Sequence, residues 1–138
     1  LRFLPRMKPD PLAFTSGPLD SPQEIHGAAL EGLIAQHLRA WISYSGDLCN
    51  LYFWRTKSGN EVDFVIYGKN TFYAIEVKSA AKIHPKSVNG LNAFKEDYPE
   101  AQTCLLYRGT ERIKIKNVLC MPCEEFLLNL YPKRPIRL

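Results

Sequence analysis

Three short runs in the middle of the chain constrain the fold most. They are Leu51-Tyr52-Phe53-Trp54-Arg55, Glu61-Val62-Asp63-Phe64-Val65-Ile66-Tyr67 and Phe72-Tyr73-Ala74-Ile75-Glu76-Val77-Lys78. Each is dense in aromatic and β-branched residues, which suit a pleated, half-buried surface. Only Lys57-Ser58-Gly59-Asn60 separates the first two, so they read as a hairpin. Gly68-Lys69-Asn70 makes a second tight turn into the third. Three strands joined this closely are neighbours in one sheet, and the rest of the chain must pack around them.

Upstream, Ser21-Pro22-Gln23-Glu24 has the form of a capping box with Pro at the first helical position. A helix is expected from Pro22 to about Ser43, with Leu30, Ile34, Leu38, Trp41 and Ile42 as its apolar stripe and Gly46-Asp47 as its end. Residues 1–20 carry Pro5, Pro9, Pro11 and Pro18 and read as an extended or irregular lead-in, a linker from an upstream domain. Downstream, Pro85 to Tyr98 reads as a helix with Val88, Leu91, Phe94 and Tyr98 inward, stopped by Pro99. Cys104-Leu105-Leu106-Tyr107 does not alternate and so is a strand buried on both faces. Arg112 to Lys116 alternates cleanly, as a half-exposed or edge strand does. A short strand at Val118-Leu119-Cys120 and a last helix from Pro122 to about Leu130 follow, and Pro132-Lys133-Arg134-Pro135 reads as a loose basic tail.

The expectation is an α/β domain over residues 21–131, flanked by the lead-in (1–20) and the tail (132–138). A central mixed sheet of about five strands is expected, covered on both faces as a three-layer α/β/α arrangement. The chain's 138 residues are enough for one domain with a core that needs neither disulfides nor metals. With 46% hydrophobic and 23% charged residues, a disordered, collagen-like or coiled-coil chain is excluded. No apolar run approaches the roughly 20 residues of a membrane span. The start lacks an initiator Met and a signal peptide, and the chain is expected to be a cytoplasmic domain cut from a longer protein. Cys49, Cys104, Cys120 and Cys123 suit reduced, buried thiols. A net charge of +4 is compatible with a polyanionic partner without demanding one.

Strand alternation locates the chemistry. Phe72, Ala74, Glu76 and Lys78 share one face of the third strand. In the second, Glu61, Asp63, Val65 and Tyr67 are expected to share a face opposite Val62, Phe64 and Ile66. Antiparallel pairing through residues 68–71 lets Asp63 lie beside Glu76. Two carboxylates and a lysine rising from a hydrophobic sheet are costly unless paired or bound to a cation. Two carboxylates alone push one pKa up. A divalent ion, Mg²⁺ (or Mn²⁺), would resolve the conflict through oxygen ligands, with Lys78 stabilising developing negative charge. Glu31 falls within the apolar stripe of the first helix, an unusual place for a carboxylate, and could complete an acidic cluster.

Glu31 on a leading helix, Asp63 on the second strand and Glu76-Val77-Lys78 on the third together resemble the PD-(D/E)xK nuclease superfamily, with its restriction-endonuclease-like fold. Val62 stands before Asp63 where Pro is frequent in that superfamily. A longer resemblance runs through Gly27-Ala28-Ala29-Leu30-Glu31, then Leu51 to Phe64, then Ala74-Ile75-Glu76-Val77-Lys78. These residues are similar to a domain of uncharacterised function at the C-terminus of a family of bacterial and archaeal AAA-type ATPases. No Walker A loop occurs, so the ATPase half would lie outside this chain. The resemblance implies DNA as substrate, with Asp63, Glu76 and the Val77 carbonyl holding the metal. Lys78 would position or help activate the attacking water, and Glu31 would orient a water on the ion or bind a second ion.

Simpler roles stand beside these. Trp54 is expected to be core, and Arg55 to pair with a charged neighbour such as Glu61 or else contact phosphate. Lys82, His84 and Lys86 form either a solvated loop and helix start or a phosphate-binding rim. Cys120-Met121-Pro122-Cys123 has no second pair for zinc and is expected to pack rather than act as a redox site. The whole domain could equally be a module of this fold without catalysis, docking or regulating the ATPase on DNA or a protein partner. In a purely structural third case, the acidic cluster pairs with Lys78 and Arg55, and removing one partner destabilises the fold.

Overall fold

The structure, a computed structural model, describes residues 7–9, 22–45 and 48–138. The expected cap at Ser21 and helix break at Gly46-Asp47 lie outside them. Seven strands form one mixed sheet: β1 (Met7–Pro9), β2 (Cys49–Arg55), β3 (Glu61–Gly68), β4 (Phe72–Val77), β5 (Gln102–Tyr107), β6 (Ile113–Ile115) and β7 (Val118–Pro122). The helices are α1 (Pro22–Tyr44), α2 (Asn89–Asp97) and α3 (Cys123–Leu128), with a 3₁₀ turn at Pro85–Val88 leading into α2. The sheet order is β1-β2-β3-β4-β5-β7-β6.

The expectation of about five strands is thus too low. The block from Cys49 to Pro122 alone contributes six, and β1, inside the expected lead-in, adds a seventh by pairing antiparallel with β2. The sixth strand joins because β6 and β7 form a hairpin whose two turn residues, Lys116 (φ 49°) and Asn117 (φ 66°), take the left-handed conformation that matches strand twist.

The β2-β3-β4 meander is antiparallel throughout. Gly59, at φ 94°, turns the chain between β2 and β3, where Thr56 and Asn60 close the loop. Then the direction changes: β4, β5 and β7 run parallel. The carboxyl ends of β2, β4, β5 and β7 and the start of β3 therefore lie along one end of the sheet.

Both faces are covered. Ile34 and Leu38 of α1 and Phe126 of α3 pack with Phe64, Ile66 and Ile75 on one face. Leu91 and Phe94 of α2 pack with Trp54, Val62, Val65 and Leu105 on the other. The central strand β5 serves both, with Cys104 and Leu106 on one side and Leu105 and Tyr107 on the other. That is the double burial its unbroken apolar run implied.

One face assignment needs correction. Val65 does not share a face with Asp63 in simple alternation. Tyr52 pairs with Val65 and Trp54 with Val62, so two steps along β2 face three along β3. The extra residue is a β-bulge at Asp63-Phe64. It puts Val62 and Val65 under α2 and Phe64 and Ile66 under α1.

The basic tail is not loose. The Trp41 indole N–H donates to the Arg134 carbonyl at 2.9 Å and the Tyr73 hydroxyl to the Ile136 carbonyl at 3.3 Å. Ile136 is buried in the α1 cluster, against which Leu130 and Leu138 also pack. Spaced apolar residues inside a Pro/Arg-rich stretch anchor a segment whose composition alone suggests solvent.

Candidate active site

The bulge is where the chemistry sits. The β3–β4 ladder ends at the pair Phe64 and Ile75. Beyond it, side chains take over from backbone pairing. Asp63 Oδ2 accepts the Val77 N–H at 2.8 Å, and Glu76 Oε1 accepts the Asp63 N–H at 3.2 Å. The two carboxyl groups thus knit the frayed end of the meander and are held side by side by the same bonds.

Glu76 is only 5% exposed, while Asp63 and Lys78 are half-buried. Burial pushes the Glu76 carboxyl far above the ordinary carboxylate range, to about 10. Its hydrogen bond and charge repulsion with Asp63 push the same way, and Lys78 pulls it partly back. Without a cation, Glu76 therefore keeps its proton at neutral pH, with a hydrogen bond to the Asp63 side chain. Lys78 lies just past the end of β4, where its N–H donates to the Leu106 carbonyl at 2.8 Å. That bond carries the parallel pairing of β4 and β5 one residue further.

The other candidates are placed as follows. Glu31 is half-buried on α1, one turn after Gly27, where an added Cβ would lie 3.5 Å from the Ser79 hydroxyl oxygen, so this part of α1 lies close to the chain just past β4. Among the described residues, no three His, Cys, Asp or Glu side chains gather into a group that could hold a metal, so Glu31 does not form a triad with Asp63 and Glu76. Arg55 pairs with Glu61 at 3.1 Å in an exposed bridge. Trp54 is fully buried, edge-on to Phe94 with ring centroids 5.2 Å apart. Lys82, His84 and Lys86 are exposed, and His84 Nδ1 accepts the Lys86 N–H at 3.1 Å, capping the 3₁₀ turn. All four cysteines are buried and outside any disulfide, and Cys120 and Cys123 belong to the cores on opposite faces of the sheet, as packing rather than paired chemistry requires.

Two features went unread in the sequence. Gly90 on α2 presses against the Glu61 backbone, where a Cβ would collide with the carbonyl oxygen, so α2 supports the strand that carries Asp63. Arg108 follows β5 directly and lines a cleft of about 550 Å³ with Lys82. The signal available for it was positional, since ligands of parallel sheets collect outside the carboxyl ends of the strands.

The described part of the chain is thus a mixed-sheet α/β domain with a carboxyl pair, one member buried and one half-buried, and a lysine at one end of its sheet. Residues 26–126 match a domain of unknown function (DUF4143), and the chain belongs to that family. The matched span includes Glu31, Asp63, Glu76 and Lys78. No curated protein matches the chain. Among the described residues, no helix is long and apolar enough to cross a membrane.

Proposed function

We propose that this is a restriction-endonuclease-like domain that hydrolyses phosphodiester bonds of DNA with Mg²⁺ or Mn²⁺, working as the C-terminal part of a cytoplasmic AAA-type ATPase. One observation carries the reading: Asp63 and Glu76 are locked side by side by reciprocal backbone bonds at the unzipped end of β3 and β4, with Lys78 next in line. The donor set fits a hard divalent cation, because two crowded carboxyl groups, one of them nearly buried, lose their mutual repulsion when a cation replaces the Glu76 proton. Asp63, Glu76 and the Val77 carbonyl would hold it. Such an ion supplies Lewis-acid polarisation of the phosphate and a more acidic water. The chain's own part is electrostatic and positional. Asp63 is fixed by the Val77 N–H, Glu76 releases its proton, and Lys78 offers a positive charge where the phosphorane would develop. Glu31, in the first half of α1, would orient the attacking water.

A second reading rests on the lack of a three-ligand group among the described residues. Under it, the domain keeps the fold without cutting and docks or regulates the ATPase on DNA or a protein partner. Incubating supercoiled and linear DNA with Mg²⁺ or Mn²⁺, wild type beside Asp63→Ala, decides between them. Cleavage by the wild type alone supports hydrolysis. Cleavage by neither, with Asp63→Ala still folded, favours the docking module, and equal cleavage by both means a contaminant.

A further inference from the structure

We infer that the cleft between the loops after β4 and β5 binds the phosphodiester backbone of a single polynucleotide strand, with Arg108 and Lys82 as its cationic contacts. The inference deepens the proposed function by naming where the strand runs beyond the carboxyl pair.

The cleft opens at the carboxyl ends of two parallel strands, immediately past Glu76 and Lys78. Its walls are built rather than accidental. The Lys78 N–H donates to Leu106 and the Arg108 N–H to Ala80 at 3.0 Å, so the two loops stay tied beyond the sheet. The Tyr107 hydroxyl donates to the Glu111 carbonyl, and Gly109 lies so close over the Tyr107 ring that a Cβ would overlap it. These contacts fold the β5 loop back on itself and fix the start of Arg108.

Charge is available at this place, whereas several other cations are already held. Arg55 is held by Glu61, Arg112 by Glu125 at 2.7 Å, and the Lys95 ammonium by the Ala101 carbonyl. Arg108 and Lys82 are exposed and have no ion-pair partner among the described residues. Ile83 and Ile113 also line the cleft and give it apolar surface. Cations beside an apolar surface suit a nucleotide strand, whose phosphates and bases need one each. The cleft is shallow and open, with about 550 Å³ of space, and its apolar surface suits the unpaired bases of a single strand, which a duplex keeps stacked inside. Glu111 also lines it and opposes the phosphate.

The test is binding of a fluorescein-labelled single-stranded DNA 20-mer to the whole chain in Ca²⁺, by anisotropy across a salt series. Arg108→Gln and Lys82→Gln should each lower the slope of log K against log salt by about 0.7, and weaken binding about fivefold at 0.1 M salt. Glu111→Gln should tighten binding. Lys69→Gln, in the β3–β4 turn at the far end of the sheet, should change neither. Melting curves of each variant confirm folding, which exposed side chains should not disturb. The inference is overturned if the wild type does not bind, if Arg108→Gln and Lys82→Gln match it, if Lys69→Gln loses as much, or if a duplex binds tenfold tighter than the single strand. Arg108-dependent binding without any cleavage upholds the cleft and sinks the nuclease reading. Asp63-dependent cleavage with binding indifferent to Arg108 and Lys82 does the reverse.

Discussion

Replacing Glu76 by Gln should change how stability depends on pH, and the carboxyl pair sets the size of the effect. In the metal-free fold, burial and Asp63 raise the Glu76 carboxyl to about 10 from an ordinary 4.5. Between those values the native state holds a proton that the unfolded state has lost. Stability therefore falls as pH rises through this window, by about 1.4 kcal/mol per unit for one proton. From pH 5 to pH 7 the wild type should lose about 3 kcal/mol relative to Glu76→Gln. The amide imitates protonated Glu: its oxygen can still accept the Asp63 N–H and its NH₂ can donate to the Asp63 carboxylate. Glu76→Gln should thus match the wild type near pH 4 and exceed it near pH 7. Urea unfolding of both proteins in chelator from pH 4 to 8 measures this, and differencing the curves cancels the titrating groups remote from the carboxyl pair. Parallel curves would refute the reasoning, because they would mean that Glu76 ionises freely in the fold. Adding Mn²⁺ at pH 7 should then stabilise the wild type and leave Glu76→Gln nearly unmoved.

Other positions give simpler expectations. Phe94 is fully buried and meets Trp54, Phe72 and Tyr98, so Phe94→Ala should cost about 3–5 kcal/mol in denaturant unfolding. Trp41→Phe removes the donor to the Arg134 carbonyl, which should cost about 1 kcal/mol and expose Arg134 and Arg137 to trypsin before the rest of the chain is cut. The thiols of Cys104 and Cys123 are pushed up to about 12 and about 11 by burial. Neither should react with a disulfide reagent at pH 8 until urea unfolds the protein, and reaction in the native state would show that the site opens.

The parts of the fold that were legible in the sequence are those set by local pattern. Two short turns between β-rich runs gave the meander, and its register put Asp63 beside Glu76. The Arg55–Glu61 pair follows from a hairpin that brings both strand ends together. The bulge was not legible, because Val62 to Ile66 is apolar on both sides of Asp63 and a slip of one leaves no trace in such a run. The docking of residues 134–138 was hidden for the opposite reason: Pro and Arg dominate the composition while only Ile136 and Leu138 hold the segment to the core. Arg108 escaped notice because its importance comes from parallel pairing across a long excursion through α2, which no local pattern announces.

The change from antiparallel to parallel strands at β4 also divides the order of assembly. Asp63 and Glu76 are thirteen residues apart and belong to a meander closed by short loops. The β4–β5 pairing must wait for the 3₁₀ turn and α2 to be threaded back, a costlier loop closure. The two carboxyl groups are therefore brought together while their surroundings are still wet, and the completion of β5 and α2 dries them afterwards. The proton that Glu76 must hold in the dry site is taken up late, after the folding barrier. Raising the pH from 5 to 7 should therefore speed unfolding far more than it slows folding.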